Sequence, residues 1–339
     1  MPADLHEIYP TIVTIKDFPC GSGKTTKMMQ ELCSDKLYLI VVPLKTEIHR
    51  VLAATSHLGF VEPLEAMTPA RTKQSALLKL INQRKSIVTT HRLYSDIGHL
   101  AALGCLQEYN VIIDEVPEVI NPVVSLSKRS VTDFYISPGY LEISEDGLCR
   151  PTVKWERTQN DVSDTLNEKI KKDAEGQNLY LTAQGTFLTA VPKMLFYQCV
   201  SITILTYKPE GSYLLAYLKK LGVHYNLKRD QIAEEMFKAK ALKLITFADT
   251  SALEKVNFTY CKQTKYSEKS KETKVVRSGL KNWRARHLKG VPLENVMVTC
   301  AEANWRDSKA FKSARLQLRG FAKTTGLGKV HWVANQTRG

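Results

Sequence analysis

Short apolar runs rich in β-branched residues alternate along the first part of the chain with stretches whose apolar residues recur at helical spacing. Continuous apolar runs of this kind are typical of strands buried on both faces of a parallel sheet. The runs that predict strands lie at 11–15, 37–43, 86–90 and 110–115, and the stretches that predict helices lie at 27–32, 46–58, 75–83 and 91–105. This alternation predicts a parallel α/β sheet, whose ligands collect at the carboxyl ends of its strands.

The regular alternation stops after the fourth predicted strand. Residues 131–155 alternate in the manner of short strands joined by turns, and residues 159–174 have the pattern of a polar, charged helix. The segments 179–181 and 186–190 return to the apolar pattern of the core. We therefore interpret residues 123–180 as an insertion in the first domain.

A second α/β domain is predicted to begin at residue 199, after a first domain that covers residues 1–198. Its predicted strands lie at 201–206, 242–247, 295–300 and 329–334. Its first predicted helix lies at 213–221. The 339 residues are enough for two domains, each with its own core. The expected fold class is therefore α/β with two parallel-sheet domains, the second of which (199–339) is either complete or truncated.

The first predicted strand leads directly into a glycine-rich turn, which is followed by a predicted helix. A strand, a glycine-rich turn, a Lys-Ser/Thr pair and a helix form the context of a phosphate-binding loop. Glycines allow backbone N–H groups to surround an anion, and here Lys24 would reach the β- and γ-phosphates while Thr25 would ligate Mg²⁺. The strict pattern has glycine where this chain has Phe18, so a chance glycine turn is the alternative. The residues expected to bind the nucleotide are Cys20, Gly21, Ser22, Gly23, Lys24, Thr25 and Thr26.

Two acidic residues, Asp114 and Glu115, end the fourth predicted strand. In a phosphoryl-transfer site, an aspartate at such a place binds Mg²⁺ directly or through water, and a neighbouring glutamate can activate the attacking water. The expected catalytic residues are therefore Lys24, Asp114 and Glu115, and the expected metal ligands are Thr25 and Asp114. The alternative is that the two acids begin a solvated loop.

The net charge of +14 is concentrated in one part of the chain. Residues 201–339 contain 27 Lys and Arg against 11 Asp and Glu, whereas the first 200 residues are close to neutral. A strongly basic half beside a phosphate-binding loop indicates a polyanionic partner, most simply nucleic acid, although a well-solvated surface is the alternative. Within 255–289, cationic residues are interleaved with aromatic ones, a mixture that suits single-stranded nucleic acid. The contacts expected there are Lys281, Trp283 and Arg284.

The seven cysteines are scattered singly, without a Cys-x-x-Cys pair. This arrangement favours reduced thiols and argues against a disulfide framework or a zinc site. No apolar run approaches the ~20 residues that cross a membrane, and the N-terminal residues lack a signal-peptide pattern. We therefore expect a cytoplasmic protein that does not contact a membrane.

The order of the motifs resembles that of superfamily 2 helicases. The matching segments are Gly21-Ser22-Gly23-Lys24-Thr25, Val41-Val42-Pro43-Leu44-Lys45, Thr89-Thr90-His91-Arg92-Leu93, Asp114-Glu115-Val116-Pro117 and Leu188-Thr189-Ala190. They correspond to motifs I, Ia, a threonine-rich Ib element, II and III, and the Asp-Glu-Val-Pro-Glu form is similar to helicase-like proteins of tailed bacteriophages. The resemblance implies two RecA-like domains that bind ATP and Mg²⁺ between them and, for a viral protein, location in the host cytoplasm.

The resemblance also implies an activity and roles for single residues. The implied activity is that of an ATP-hydrolysing helicase or translocase on single-stranded nucleic acid, with DNA favoured over RNA. Thr189 would couple hydrolysis to domain movement, and Thr206-Tyr207 with Gly211-Ser212 resembles the start of the second domain. The residues implied to lie near the nucleic-acid backbone are Pro43, Lys45, Thr89, Thr90 and Arg92.

The arginine-rich motif near the end of the family's second domain has no clear counterpart in this sequence. That motif supplies an arginine that stabilises the transition state, an effect of about 10³–10⁵ in rate in related enzymes. Either the chain is a fragment, or the arginine comes from Arg315, Arg319, Arg338 or another subunit. A second interpretation is therefore a catalytically weak nucleotide-binding scaffold that binds nucleic acid without unwinding it. A kinase of small molecules is a third.

Overall fold

The structure is a computed structural model, and it describes residues 11–123, 126–157, 165–245, 271–287 and 289–291. The described residues belong to two compact units, of which the first ends at Ala241 and the second begins at Leu242. The strands are β1 (Ile12–Asp17), β2 (Leu37–Val42), β3 (Ile87–Thr90), β4 (Tyr109–Asp114), β5 (Ile120–Pro122), β6 (Leu141–Ile143), β7 (Cys149–Pro151), β8 (Leu179–Leu181), β9 (Phe187–Ala190), β10 (Ser201–Thr206) and β11 (Tyr225–Arg229).

Helices connect most of these strands. They are α1 (Lys24–Gln30), α2 (Lys45–Ala54), α3 (Lys73–Asn82), α4 (His91–Ser95), α5 (Gly98–Ala102), α6 (Lys128–Val131), α7 (Val153–Arg157), α8 (Thr165–Glu175), α9 (Leu214–Leu221), α10 (Gln231–Leu244) and α11 (Lys271–His287). The first four predicted strands and the helices between them are confirmed, with shifts of a few residues at their ends.

The central sheet of the first unit has six parallel strands in the order β11-β1-β10-β4-β2-β3. The predicted α/β class and the parallel sheet are therefore confirmed for this unit, and the arrangement is compatible with a RecA-like domain. Because every strand runs in the same direction, the carboxyl ends of β1, β2, β4 and β10 lie along one edge of the sheet. The motif residues that follow these strands are brought to that edge.

Alternate residues of β2 enter two different apolar cores on the two faces of the sheet. Leu39 and Val41 pack with residues of α3, α4 and α9, whereas Ile40 and Val42 pack with residues of α1 and α2. All four side chains are completely buried, and each such burial stabilises the fold by about 1.5–3 kcal/mol. A strand covered on both faces needs apolar residues at every position, which explains the continuous apolar run.

The insertion is larger than predicted and only partly β. It contains the antiparallel sheet β5-β9-β8 and the β6-β7 hairpin around a separate core, in which the rings of Tyr135, Trp155 and Phe187 meet. Residues Thr132–Ile136 form a π-helix, where the sequence predicted a strand. The segments at 179–181 and 186–190, predicted to return to the core sheet, are β8 and β9 and belong to the insertion. The predicted polar helix is confirmed from residue 165 onward as α8, whereas residues 159–164 lie outside the described residues.

The strand predicted to open a second domain lies instead in the middle of the first sheet. β10 pairs in parallel with β1 on one side and with β4 on the other. The structure therefore differs from the division expected at residue 199. The sequence could not show this because a buried parallel strand has the same apolar pattern in either domain.

Two further elements near the end of the first unit were not predicted. β11 extends the sheet next to β1, and its polar, exposed sequence is that of an edge strand. α10 continues to Leu244, so the strand predicted at 242–247 is wrong for its first three residues. α9 follows the prediction and ends at Gly222, whose φ of +73° lies in the left-handed region.

A second parallel-sheet domain is not confirmed. The second unit contributes α11, whose 17 residues include the second half of the basic, aromatic stretch. The strands predicted at 295–300 and 329–334, and residues 255–270 of the basic stretch, lie outside the described residues. Nowhere in the described ranges is a helix long and apolar enough to cross a membrane.

Candidate functional site

A cleft of about 350 Å³ opens at the carboxyl edge of the central sheet. Three loops line it, because the loops after β1, β2 and β4 all leave the sheet at this edge. Its lining residues are Cys20, Gly21, Gly23, Lys24, Thr25, Thr26, Pro43, Leu44, Glu47, Arg50, Asp114 and Glu115. The structure thus brings together the two motifs that the sequence predicted to meet.

The glycine-rich loop has the backbone geometry that only glycine adopts without strain. Gly21 and Gly23 have φ values of +75° and +77°, and nothing lies within 4 Å of the place where a Cβ would be on either residue. Gly23 immediately precedes α1 and accepts a 2.8 Å hydrogen bond from the Lys27 N–H. The loop is therefore open on the side of the cleft, and Phe18 in place of a further glycine leaves this geometry intact.

The loop is held at its start by Asp17, the last residue of β1. The Asp17 carboxylate accepts hydrogen bonds from the Lys208 backbone N–H at 2.7 Å and from Arg229 Nε at 2.9 Å. These partners follow β10 and end β11, so one buried side chain ties three neighbouring strands together at the edge of the cleft.

Lys24 has a buried ammonium group that lacks a hydrogen-bond acceptor. Its Nζ lies 3.5 Å from Glu115 Oε1, an ion-pair distance, but it forms no hydrogen bond with any described residue. The hydroxyl of Ser22, in the same loop, is also buried without a partner among the residues of known placement. A buried donor without an acceptor costs about 1–3 kcal/mol, and more when it is charged. An anion in the loop would satisfy both groups.

Thr25 joins the loop to β4. Its hydroxyl lies 3.1 Å from Oδ1 and 3.0 Å from Oδ2 of Asp114 and donates to this carboxylate. Asp114 is 5% exposed. Burial raises the pKa of Asp114, and the Coulombic effect of Glu115 acts in the same direction, whereas the Thr25 hydrogen bond and the charges of Lys24 and Arg50 oppose the shift. The site therefore contains a carboxylate whose negative charge needs a nearby cation.

His91 supports the backbone of Asp114. Its Nε2 lies 2.8 Å from the Asp114 carbonyl oxygen, so this nitrogen carries the proton and donates. Burial lowers the pKa of His91, although the hydrogen bond to Asp114 and the charge of Glu115 oppose that shift. The lowered pKa favours the neutral imidazole, and its hydrogen bond joins the end of β4 to the residue that follows β3, with β2 between the two strands.

Glu115 has an unusual backbone conformation for a residue with a side chain. Its φ is +64°, in the left-handed region, which costs of the order of 1–3 kcal/mol for such a residue. Its N–H donates a 2.8 Å hydrogen bond to the Leu205 carbonyl of β10. This contact holds the turn and directs the exposed Glu115 side chain toward the cleft, where it meets Lys24.

Two residues of α2 lie in the cleft that were not predicted to be there. Arg50 Nη2 is 2.5 Å from Glu47 Oε2 and 3.8 Å from Asp114 Oδ2. The available signal was their position on one face of the helix that begins at the end of β2, since residues three apart on a helix are neighbours. Charged residues three apart are common on exposed helices, so this spacing alone did not identify Glu47 and Arg50 as residues of the cleft.

The residues expected to contact nucleic acid lie in different surroundings. Pro43 lines the cleft, and Lys45 is exposed at the start of α2. Thr90 accepts a hydrogen bond from the Leu93 N–H as the N-cap of α4, and exposed Arg92 pairs with Asp96 at 3.3 Å. Thr89 is 2% exposed and lies within β3, and its expected place near a nucleic-acid backbone stays a prediction.

The remaining predicted site residues belong to the insertion and to the second unit. Thr189, expected to couple hydrolysis to movement, lies in β9 of the insertion, where its hydroxyl is 3.4 Å from the Asn121 carbonyl. β10, which lies between β1 and β4 in the sheet, ends at Thr206. The sequence had placed Thr206 at the start of a second domain. Lys281, Trp283 and Arg284 are in α11, and the Trp283 ring packs against His287 with 5.5 Å between ring centroids.

In the described ranges, no group of three or more His, Cys, Asp or Glu side chains is placed to hold a metal ion. The protein oxygens predicted to bind a cation in the cleft, those of Thr25 and Asp114, lie 3.0–3.1 Å apart. The chain matches no protein-family model, and a search of curated proteins found no significant match.

Proposed function

We propose that the protein hydrolyses a nucleoside triphosphate, ATP by our expectation, with Mg²⁺ in the cleft at the carboxyl edge of the sheet. The observation that carries this proposal is the Thr25–Asp114 hydrogen bond beside the buried, unsatisfied ammonium of Lys24. A glycine-rich loop, a lysine, a hydroxyl and a strand-end carboxylate are the parts that a P-loop phosphohydrolase needs.

Each residue has a defined part in this proposal. The N–H groups of the glycine-rich loop and the Lys24 ammonium would bind the phosphates, and Thr25 and Asp114 would hold Mg²⁺. Bound Mg²⁺ neutralises negative charge that develops on the phosphate oxygens. Two protein oxygens are enough because Mg²⁺ in such sites keeps several waters and takes further ligands from the phosphates. Glu115 accepts a proton from the attacking water.

We further propose that hydrolysis drives movement along single-stranded nucleic acid, as in a helicase or translocase, with DNA favoured over RNA. The net charge of +14 and the excess of 16 positive charges in residues 201–339 support a polyanionic partner. α11 supports it further, because it places Lys274 and Arg286 on the same helix as Trp283.

The experiment is a hydrolysis assay on the full chain. ATP and the other nucleoside triphosphates are supplied with and without Mg²⁺, single-stranded DNA or single-stranded RNA, at several salt concentrations. We expect Mg²⁺-dependent hydrolysis that nucleic acid stimulates and that salt suppresses, because salt weakens phosphate contacts. Lys24→Ala is expected to abolish hydrolysis, and Lys36→Ala, on the exposed turn before β2, is the matched control.

The outcomes separate the proposal from its alternatives. Nucleotide binding without hydrolysis under any condition would favour the weak scaffold. Hydrolysis that neither DNA nor RNA stimulates would contradict the proposed movement along nucleic acid, but it would support the proposed phosphohydrolase activity. Absence of both binding and hydrolysis would contradict the proposed function altogether.

A further inference from the structure

Arg50 is a second cationic side chain in the cleft, besides Lys24. Among the described residues that line the cleft, these two carry a positive charge. Lys24 belongs to the glycine-rich loop, whereas Arg50 comes from the middle of α2, on the side of Asp114. The two charges therefore face Asp114 from different elements, and both oppose the rise of its pKa.

Glu47 holds the guanidinium group of Arg50 in place. Its Oε2 accepts from Arg50 Nε at 2.7 Å and lies 2.5 Å from Nη2, so one carboxylate oxygen contacts two nitrogens of the group. The same Nη2 lies 3.8 Å from Asp114 Oδ2. That separation is too long for a hydrogen bond, so the N–H of Nη2 that does not face Glu47 can contact an anion.

The balance of charges in the cleft favours a contact between Arg50 and a bound anion. Asp114, Glu115 and Glu47 are acidic and line the cleft beside one lysine. A nucleoside triphosphate adds about four negative charges, of which Mg²⁺ and Lys24 balance about three. A further cation would balance the remaining charge beside these carboxylates, and a guanidinium group suits phosphate oxygens because it donates in a planar fork.

We propose that Arg50 binds the terminal phosphate of the nucleoside triphosphate and that Glu47 positions it. This inference rests on the proposed function, since it assigns a residue to the same site. Arg50 faces Asp114, a proposed Mg²⁺ ligand, so its contact is assigned to the Mg²⁺-bound end of the phosphate chain, and the comparison of a diphosphate with a triphosphate tests the terminal phosphate. It supplies from within the chain the positive charge that stabilises phosphoryl transfer.

The test compares affinities for a diphosphate and a triphosphate on the full chain. Equilibrium titrations with Mg²⁺ use ADP and a non-hydrolysable ATP analogue. We expect Arg50→Ala to weaken binding of the analogue about tenfold or more, the usual scale for a lost charge-assisted contact. Its affinity for ADP stays within about twofold, since ADP lacks the group that Arg50 contacts.

Four variants make the result specific. Arg50→Lys keeps the charge without the fork and is expected to restore part of the affinity for the analogue. Glu47→Gln keeps the Arg50 side chain but removes its charged partner, and it is expected to produce a smaller, equally selective loss. Arg84→Ala is the matched control, because Arg84 forms an exposed ion pair with Glu108 at the opposite edge of the sheet. Thermal unfolding shows whether each variant is folded. If Arg50→Ala is not folded, Glu47→Gln and Arg50→Lys test whether Arg50 contacts the terminal phosphate.

Different results would contradict the role of Arg50 and the proposed function. Equal losses for ADP and the analogue, or no loss for either, in the Arg50 and Glu47 variants would overturn the role of Arg50 while wild-type binding supports the site. A wild-type chain that binds neither nucleotide would overturn the site itself.

Discussion

The Thr25 hydroxyl lies 3.1 and 3.0 Å from the two carboxylate oxygens of Asp114, although 89 residues separate them in the chain. Thr25 is in α1, directly after the loop that follows β1, and Asp114 ends β4. In the sheet, β10 lies between β1 and β4. The contact therefore reaches past one strand and joins the two motifs through three oxygen atoms at hydrogen-bond distance.

The Thr25 hydroxyl can be removed with little change in shape. We expect Thr25→Val to weaken Mg²⁺-dependent nucleotide binding roughly 10–100-fold, the usual effect of losing an oxygen at a metal site. Thr25→Ser keeps the hydroxyl and is the control, with affinity close to that of the wild type. Titration with a fluorescent nucleotide, with and without Mg²⁺, measures both. An equal loss in the absence of Mg²⁺ would show that the hydroxyl serves the fold and not the metal.

Glu115 is expected to act in hydrolysis but not in binding. Glu115→Gln removes the group that accepts a proton from water while keeping its size, so the hydrolysis rate should fall about 10²–10⁴-fold. Nucleotide affinity should persist, since Gln still packs at the mouth of the cleft. Glu118→Gln changes an exposed acid three residues further along and is the matched control. A Glu115→Gln variant that hydrolyses at the wild-type rate would remove Glu115 from the mechanism.

The sequence predicted the parts of the site that depend on local pattern. A glycine-rich turn between a strand and a helix can be recognised because it needs special φ values, and Asp114-Glu115 because acids end a buried strand. The placement of β10 could not be predicted, since it depends on which strands pair across the insertion. The contribution of α2 was missed for a similar reason, because Arg50 reaches the site only through tertiary packing.

His91 is expected to support the metal site through the backbone of Asp114. His91→Ala removes the donor to the Asp114 carbonyl, 2.8 Å away, and should weaken Mg²⁺-dependent binding roughly tenfold, as for other partners behind a metal ligand. His91→Gln retains an N–H donor on a side chain of similar reach and should recover most of the loss. Unchanged Mg²⁺ dependence in His91→Ala, with normal folding, would show that the hydrogen bond has no effect on the site.

Gly98 is packed between the helices of the sheet domain and the insertion. A Cβ on this residue would lie 2.4 Å from two side-chain carbons of Pro192 and 2.6 Å from the carbonyl oxygen of Gly176. We expect Gly98→Ala to lower the free energy of unfolding by about 1–3 kcal/mol, the usual cost of overpacking. Gly211→Ala is the control, because nothing lies within 4 Å of its Cβ position. Chemical denaturation of the two variants measures the difference.

Asp173 is a buried carboxylate far from any predicted role, and its charge is expected to destabilise the fold. It is 4% exposed, its Oδ2 lacks a hydrogen-bond partner in the described structure, and so does Oδ1 of nearby Asn178. Burial raises the pKa of Asp173, and the charge of Asp96 adds to this, although Lys169, Arg92 and the Asn178 hydrogen bond oppose it. Between its unfolded and folded pKa values, the folded protein therefore holds a proton that the unfolded chain releases.

The sign of the pH dependence follows from that proton. Stability is lost as the pH rises through this window, and the full penalty is present above the folded pKa. Asp173→Asn removes the charge and offers Asn178 a donor, and we expect it to raise the free energy of unfolding at pH 7 by about 1 kcal/mol. The gain should shrink as the pH falls toward the ordinary aspartate pKa of about 3.9.

Asp146 provides a control of opposite sign. Its Oδ1 accepts from the Ser144 hydroxyl at 2.6 Å, and this hydrogen bond lowers the pKa of Asp146 more than burial raises it. Asp146→Asn should therefore lower stability at pH 7, and the loss should disappear as the pH falls through the folded pKa. Thermal unfolding of both variants from pH 3 to pH 8 tests the pair. If Asp173→Asn lowers the melting temperature at pH 7, the buried carboxylate is stabilised by its neighbours and its charge is not a cost to the fold.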